Sequence, residues 1–206
     1  MVEKRSSDRR EQLAAARRLQ IIEAAAQLFA EKGFHRTTTR DIAEAAEVSE
    51  GTLYNYFESK DELLLGIMEK LSDLPVMGDR LGDAVLEEPR EYLVEMMHER
   101  RSMIDENNAM LQSVLSEILV NPELCQRYYE ELIIPAMDIL STHMQTLVDQ
   151  GQLRTISAAY MARVLMGLMM GLFVLELLGD SMIQLEWEEL SQFVALLFFE
   201  GAAPVT

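Results

Sequence analysis

The chain has 206 residues, 49% of them hydrophobic, so one or two domains with sizeable cores are expected and wholesale disorder is excluded. Only 10 Gly and 5 Pro punctuate it, alongside 14 Met, which favours long helices over many short strands. A formal charge of −17, from 18 Lys and Arg against 35 Asp and Glu, argues against nucleic acid as a partner of the chain taken as a whole.

Residues 1–16 are charged and alanine-rich and predict an arm leading into a helix. From Arg17 the residues Leu19, Ile22, Ala26 and Phe29 recur at helical spacing, and Gly33 closes the run as a C-cap. Thr38-Thr39-Arg40-Asp41 offers a capping box, with Thr38 as N-cap and Asp41 as the acid at the third helical position. The helix it opens is short, because Glu47-Val48-Ser49 breaks the pattern after Ala46. Ser49 then caps a helix over 50–57, and Ser59-Lys60-Asp61-Glu62 is a second capping box for a helix to about residue 70. Pro75, Gly78 and Gly82 mark a loose connection, which divides the chain into domains of residues 1–70 and 71–206.

Beyond it, Leu93, Met96, Met97, Met103 and Ile104 form one face of a helix starting after Pro89. Met110, Leu111, Val114, Leu115 and Ile118 form the face of the next, which ends at Asn121-Pro122. A long pattern over 123–150 follows, kinked or split by Pro135 and stopped by Gly151. Residues 157–178 are apolar on nearly all sides, which predicts a helix packed by protein all round. Trp187, Leu190, Phe193, Val194, Leu197 and Phe198 make a last stripe at three-four spacing. With no alternating strand pattern anywhere, the expected fold is all-α.

Single counts narrow the chemistry. Cys125 stands alone, so an internal disulfide is impossible and a reducing compartment is expected. His35, His98 and His143 lie far apart without a second ligand at helical spacing, so neither a metal nor another cofactor is expected. No apolar stretch follows the basic N-terminus, and the longest uncharged apolar run, 164–175, is short for a bilayer. The expectation is a cytoplasmic protein with no membrane partner. No nucleophile–base pair, phosphate loop or spaced carboxylate dyad points to an enzyme.

The three short capped helices predict a helix-turn-helix over about residues 38–57, supported by Ile42, Ala43, Ala46, Val48, Leu53 and Phe57. Turning the second helix at about 100° per residue with Leu53 inward sends Gly51 and Asn55 outward, flanked by Thr52 and Tyr54. That face is small, polar and uncharged, with a glycine where another backbone or a base edge could approach. It suits the major groove of double-stranded DNA, where Asn55 can pair an adenine edge. Thr52, Tyr54 and Tyr56 carry hydroxyls for phosphates or base edges, and Lys60 sits at a helix N-terminus that attracts phosphate. Thr38, Thr39 and Arg40 meet the backbone from the preceding helix, and Ser49 completes the candidate set. Phe57 reads as core rather than contact. The arm arginines Arg5, Arg9, Arg10, Arg17 and Arg18 are either solvated or further DNA contacts.

The segments Ile21-Ile22-Glu23-Ala24-Ala25, Leu28-Phe29-Ala30-Glu31-Lys32-Gly33-Phe34 and Thr38-Thr39-Arg40-Asp41-Ile42-Ala43 resemble the TetR (tetracycline-repressor) family. The likeness continues through Val48-Ser49-Glu50-Gly51-Thr52-Leu53-Tyr54-Asn55-Tyr56-Phe57 and Ser59-Lys60-Asp61-Glu62-Leu63, covering about residues 17–65. It implies an all-helical homodimeric regulator, usually a repressor, that binds a palindromic operator and is released by a small ligand in its C-terminal domain. The family usually has Gly where this chain has Glu47, which puts a carboxylate near DNA. The alternative is an interaction or ligand-sensing module of the same fold that no longer binds DNA.

For the second domain, methionines concentrated between Met96 and Met170 suggest an adaptable apolar lining, or simply core filler. Met97, Met103, Tyr128, Met137, Met144 and Met169 are the candidates for a pocket taking a small hydrophobic effector. Arg100, Arg101, His143 and Glu176 either orient its head group or pair internally. Gly167 and Gly171, one helical turn apart, allow close approach of another helix. Together with Phe193, Leu197 and Phe198 they resemble the family's dimer interface.

The charge divides unevenly. Residues 1–40 carry 9 basic and 5 acidic groups, whereas residues 41–206 carry 9 and 30. The basic excess lies beside the proposed reading unit, so the acidic total does not exclude DNA.

Overall fold

A computed structural model of the chain describes residues 2–72 and 88–202; Pro75, Gly78 and Gly82 lie outside the described residues, as do the side chains of Lys4 and Arg5. Every regular element among the described residues is helical. Contacts group the chain into two compact units, Met1–Ser72 with Asn107–Tyr128, and Asp73–Glu106 with Tyr129–Thr206. Residues 107–128, expected in the second domain, therefore pack with the first unit.

In the first unit α1 (Val2–Lys32) packs on α4 (Lys60–Ser72) and α2 (Thr39–Ala45), and α2 packs on α3 (Glu50–Tyr54). The buried face of α1 is Ile21, Ile22, Ala25, Leu28 and Phe29, while Leu19 is exposed. Gly33 ends α1 with φ of +80°, a conformation that costs glycine nothing. Thr37 is buried, and its hydroxyl donates to the carbonyls of Gly33 at 2.9 Å and Leu28 at 3.2 Å, tying the end of α1 to the start of α2.

The capping box at α2 forms in full. Asp41 N donates to Thr38 Oγ1 at 3.1 Å, and Thr38 N donates to Asp41 Oδ2 at 2.9 Å. The backbone bond from Thr38, helped by its hydroxyl, holds the Asp41 carboxyl below its ordinary value of 3.8. Stability from this carboxylate is complete above that ordinary value and is lost as pH falls through the lowered one. Thr38→Ala is expected to cost about 1 kcal/mol at neutral pH, read by urea denaturation; Asp41→Asn is expected to flatten the acid limb of the stability curve.

Ser59 caps α4 as expected, accepting from Glu62 N at 3.2 Å. The reciprocal bond differs: the Glu62 carboxylate accepts from Glu58 N at 2.7 Å, one residue earlier than a standard box.

Where two helices were expected after Pro89 there is one, α5 (Pro89–Val120), with no Gly or Pro to break it. It contributes to both units. Asn121 follows, and its side chain accepts from Leu124 N at 3.2 Å to open α6 (Pro122–Tyr128). The expected interruption at Pro135 takes the form of a π-helical turn, Tyr129–Ile133, before α7 (Ile134–Asp149). Pro135 has no N–H to offer an upstream carbonyl, and a wider turn accommodates that loss.

In the second unit α7 packs closely on α8 (Ala158–Leu177). A short helix missed from the sequence, α9 (Ser181–Leu185), follows Gly179 and is capped by Asp180, whose carboxylate accepts from Met182 N at 3.0 Å. The last helix is α10 (Trp187–Ala202). The core joins Leu93, Val94 and Met97 of α5 to Leu140, Met144 and Leu147 of α7, with Met161, Ala162 and Leu165 of α8 and Val194, Ala195 and Phe198 of α10.

Candidate nucleic-acid interface

α2 and α3 are joined by a tight turn whose hydrogen bonds are those of a Schellman motif. Glu47 N donates to Glu44 O at 3.1 Å, and Val48 N donates to Ala43 O at 2.9 Å. Such a motif needs a left-handed residue after the C-cap, and Glu47 takes that role with φ of +51°. It is the one non-glycine residue with positive φ among the described residues. Its Cβ costs about 1 kcal/mol there. Glu47→Gly is accordingly expected to raise stability by about 1 kcal/mol in chemical denaturation, while removing an exposed carboxylate from the turn.

Ser49 Oγ accepts from Thr52 N at 3.0 Å and lies 2.8 Å from Thr52 Oγ1, a contact that uses one of the two hydroxyl protons and leaves the other to donate outward. Leu53 is fully buried, which sets the rotation of the helix. Gly51, Tyr54 and Asn55 are exposed and Thr52 is half-buried, in keeping with the helical rotation, and Tyr56 is half-buried. A Cβ built on Gly51 would meet only Ser49 Oγ, at 3.8 Å, so the chain's own packing does not require glycine there. Thr38 and Arg40 are exposed at the start of α2. Thr39 Oγ1 lies 3.2 Å from the Tyr54 hydroxyl, a bond that holds the two helices' outward edges together.

Two expectations change. α3 ends at Tyr54 with Asn55 as its C-cap, so Tyr56 and Phe57 lie beyond the helix. Phe57 is buried, as its apolar ring demands, and Arg18 stacks over it at 5.2 Å. Lys60 also has an inward role: its Nζ donates to Phe34 O at 2.7 Å and sits 4.1 Å from the Phe34 ring centroid. Burial lowers its pKa, against the opposing pull of Glu117 and Asp61. Any phosphate contact by Lys60 therefore competes with this anchorage.

Gln20 was not foreseen at all. Its Nε2 donates to Ala46 O at 2.9 Å, pinning α1 to the turn between α2 and α3. No local pattern marks that bond, which spans 26 residues. His35 pairs with Glu117 at 2.9 Å, and Phe34 N donates to Ser113 Oγ at 3.3 Å, so the far part of α5 is bonded to the loop before α2.

Residues 21–67 match the family of bacterial regulatory proteins of the tetR type, and residues 90–195 match the C-terminal domain of AefR-like transcriptional repressors. The chain belongs to the TetR family. It is 28% identical over 189 residues to the uncharacterised HTH-type transcriptional regulator YvkB of Bacillus subtilis, an alignment covering 88% of this chain and 94% of that one. It is 46% identical over 61 residues to the HTH-type transcriptional repressor KstR2 of Rhodococcus jostii, a match to 28% of this chain and 30% of KstR2. Among solved structures, FadR of Bacillus subtilis, in complex with stearoyl-CoA, superposes with a TM-score of 0.70 at 22% identity, covering 89% of this chain and 98% of that one. This likeness extends the TetR fold over the C-terminal helices.

The six residues expected to line an effector pocket fall in both units. Tyr128 belongs to the first unit and the others to the second. Met97 is fully buried and Met144 nearly so, both in the core that Met169 packs against; Met137 is buried on α7 and Met103 is half-buried on α5. Helical spacing aims Met97, Met144 and Met169 at this core. A cavity of about 20 Å³ adjoins Met144, with Tyr92, Met96, His143 and Phe199 in its wall. That is room for a single water-sized group, far below the roughly 300–1,000 Å³ of a drug-sized site. Arg101 and Glu176 form an internal pair at 2.6 Å, and the guanidinium lies 5.6 Å from the Trp187 ring.

α8 was expected to be covered on all sides, and it is not. Ala158, Met161, Ala162, Leu165 and Glu176 are buried, whereas Tyr160, Val164, Gly167, Gly171, Val174 and Leu178 are exposed. At about 100° per residue the exposed six lie within about 40° of one line. Tyr160 is 73% exposed and Leu178 79%, so this is an uncovered apolar stripe. By length and composition the helix, with mean hydropathy 1.8, could cross a membrane, although its buried face packs on protein. Phe193 and Leu197 of α10 are exposed, but Phe198 is only 8% exposed and packs in the core with Val194 and Ala195. Phe198 therefore leaves the set of outward-facing interface candidates, because its position on α10 turns it inward.

Proposed function

We propose that this TetR-family regulator is a cytoplasmic repressor that binds a palindromic double-stranded DNA operator as a homodimer and is released by a small hydrophobic effector. The observation that carries it is the small, polar, uncharged outward face of α3, with Gly51 and Asn55 at its centre above a buried Leu53. Asn55 reads a base edge, Thr52, Tyr54 and Tyr56 serve phosphates or base edges, and Thr38, Thr39 and Arg40 fix the register on the backbone. Two copies joined through the α8 stripe and the Phe193–Leu197 edge present two such faces to successive major grooves.

The effector class is supported by the apolar, Met-rich second unit and by FadR of Bacillus subtilis, whose structure holds stearoyl-CoA. Met side chains are the ones most able to rearrange around an entering chain. A coupling of about 1–3 kcal/mol between effector and DNA changes affinity roughly 5–150-fold. The test is fluorescence anisotropy on a labelled duplex from upstream of the chain's own coding sequence, followed by titration with stearoyl-CoA. Salt-sensitive binding reversed by the acyl-CoA is the expected result. Absence of binding would leave the interaction-module alternative, and binding that ignores stearoyl-CoA would exclude this effector class.

A further inference from the structure

α1 runs from Val2, yet among its described side chains, from Arg9 onward, the first buried one is Ile21. Residues 9–17 are all exposed, including Leu13 at 63%. A helical stretch without a core is marginal in water and persists here by propagation from the packed part of α1, helped by Ala14, Ala15 and Ala16. Where the packed part begins is informative. Gln20 is bonded to the turn between α2 and α3, and Arg18 stacks over Phe57 just beyond the reading helix while pairing with Glu69 at 2.8 Å. The extension therefore leaves the first unit beside the reading elements, and at about 1.5 Å per residue Arg10 lies roughly 15 Å along the helix from Gln20.

Residues 1–18 carry six basic and three acidic groups, while the rest of the chain carries 12 basic and 32 acidic. A polyanion is thus attracted to this segment and repelled by most of the remainder. On the helix Arg10 and Arg17 share a side, with Arg9 about 100° round from Arg10 in one direction and Glu11 as far in the other. Arg17 Nη1 donates to Gln20 at 2.9 Å, which leaves Arg9 and Arg10 as the exposed pair to consider.

We propose that this basic helical extension lies along the phosphate backbone of the DNA flanking the operator, with Arg9 and Arg10 each contributing a phosphate contact. This rests on the reading of α2 and α3 as the DNA interface and adds to it a contact that carries no sequence information. It lengthens the footprint and supplies part of the salt dependence.

The test compares full-length wild type, Arg9→Ala/Arg10→Ala and Asn55→Ala on two duplexes of equal length, one from upstream of the coding sequence and one of random sequence. Each phosphate contact adds about 0.9 to the slope of log affinity against log salt concentration. The double arginine variant is expected to lose about 3.6 from that slope on both duplexes, two contacts from each subunit of the proposed dimer, with its melting temperature unchanged because both side chains are exposed. Asn55→Ala is expected to lose affinity for the upstream duplex alone and to keep the slope. An unchanged slope for the arginine variant, with wild type bound, would overturn the arm contact and leave the α3 interface standing. If wild type binds neither duplex, the interface reading fails and the arm contact fails with it.

Discussion

Asn55→Ala is expected to weaken binding to the operator by at least tenfold and to leave binding to random DNA unchanged. Asn55 is exposed at the C-cap of α3, with φ of −72° and ψ of −17°, so truncating it removes neither core packing nor a buried partner. An asparagine amide bonded to both N6 and N7 of adenine is worth about 1–3 kcal/mol of discrimination. The proposed two-fold dimer would make the contact twice, so the loss per operator is about 2–6 kcal/mol, and each 1.4 kcal/mol or so is tenfold in affinity. Competition against random duplex separates this from unfolding, which would abolish both. Equal affinity of variant and wild type for the upstream duplex would remove Asn55 from the reading face.

The parts of this interface that could be read in advance are those governed by neighbours in sequence. Thr38, Ser49 and Ser59 act as caps through bonds to residues three positions away, and a cap is a local choice. The left-handed Glu47 is marked only by the resemblance, in which glycine is usual at that place; its own side chain gives no local sign of it. What sequence could not reveal depends on partners far along the chain. Lys60 looks like a surface lysine until Phe34 arrives from 26 residues upstream to take its ammonium group. Gln20 has no signature because its acceptor is a backbone carbonyl, which every residue possesses. The break expected between residues 104 and 110 rested on a change of apolar face. A helix can change face without stopping when its two parts pack against different units, as α5 does. Phe198 shares a stripe at three-four spacing with Phe193 and Leu197, but that stripe is broad, and only its rotation relative to the buried Val194 and Ala195 shows which ring points inward.

Gly167→Leu/Gly171→Leu is expected to convert a dimer into a monomer and, with it, to lower operator affinity by about 10²–10⁴-fold, the multiplication that linking two half-site contacts provides. Both glycines lie mid-helix on the exposed stripe of α8, and a Cβ built on either meets nothing within 4 Å in its own chain. Each costs α8 about 0.8–1.0 kcal/mol relative to alanine. The described packing of this chain returns nothing for that cost, whereas a second helix crossing the stripe would gain close backbone approach. The substitution is chosen because its two effects oppose. Leucine improves helix propensity and keeps the stripe apolar, so the isolated subunit stays folded, while its side chain fills the space the partner helix needs. A Phe193→Glu change tests the neighbouring edge on α10 by desolvation of charge rather than by bulk. Sedimentation velocity on wild type and both variants reads the outcome directly. A wild-type monomer, or a leucine variant that remains dimeric with full operator affinity, would place the two-fold contact elsewhere on the molecule.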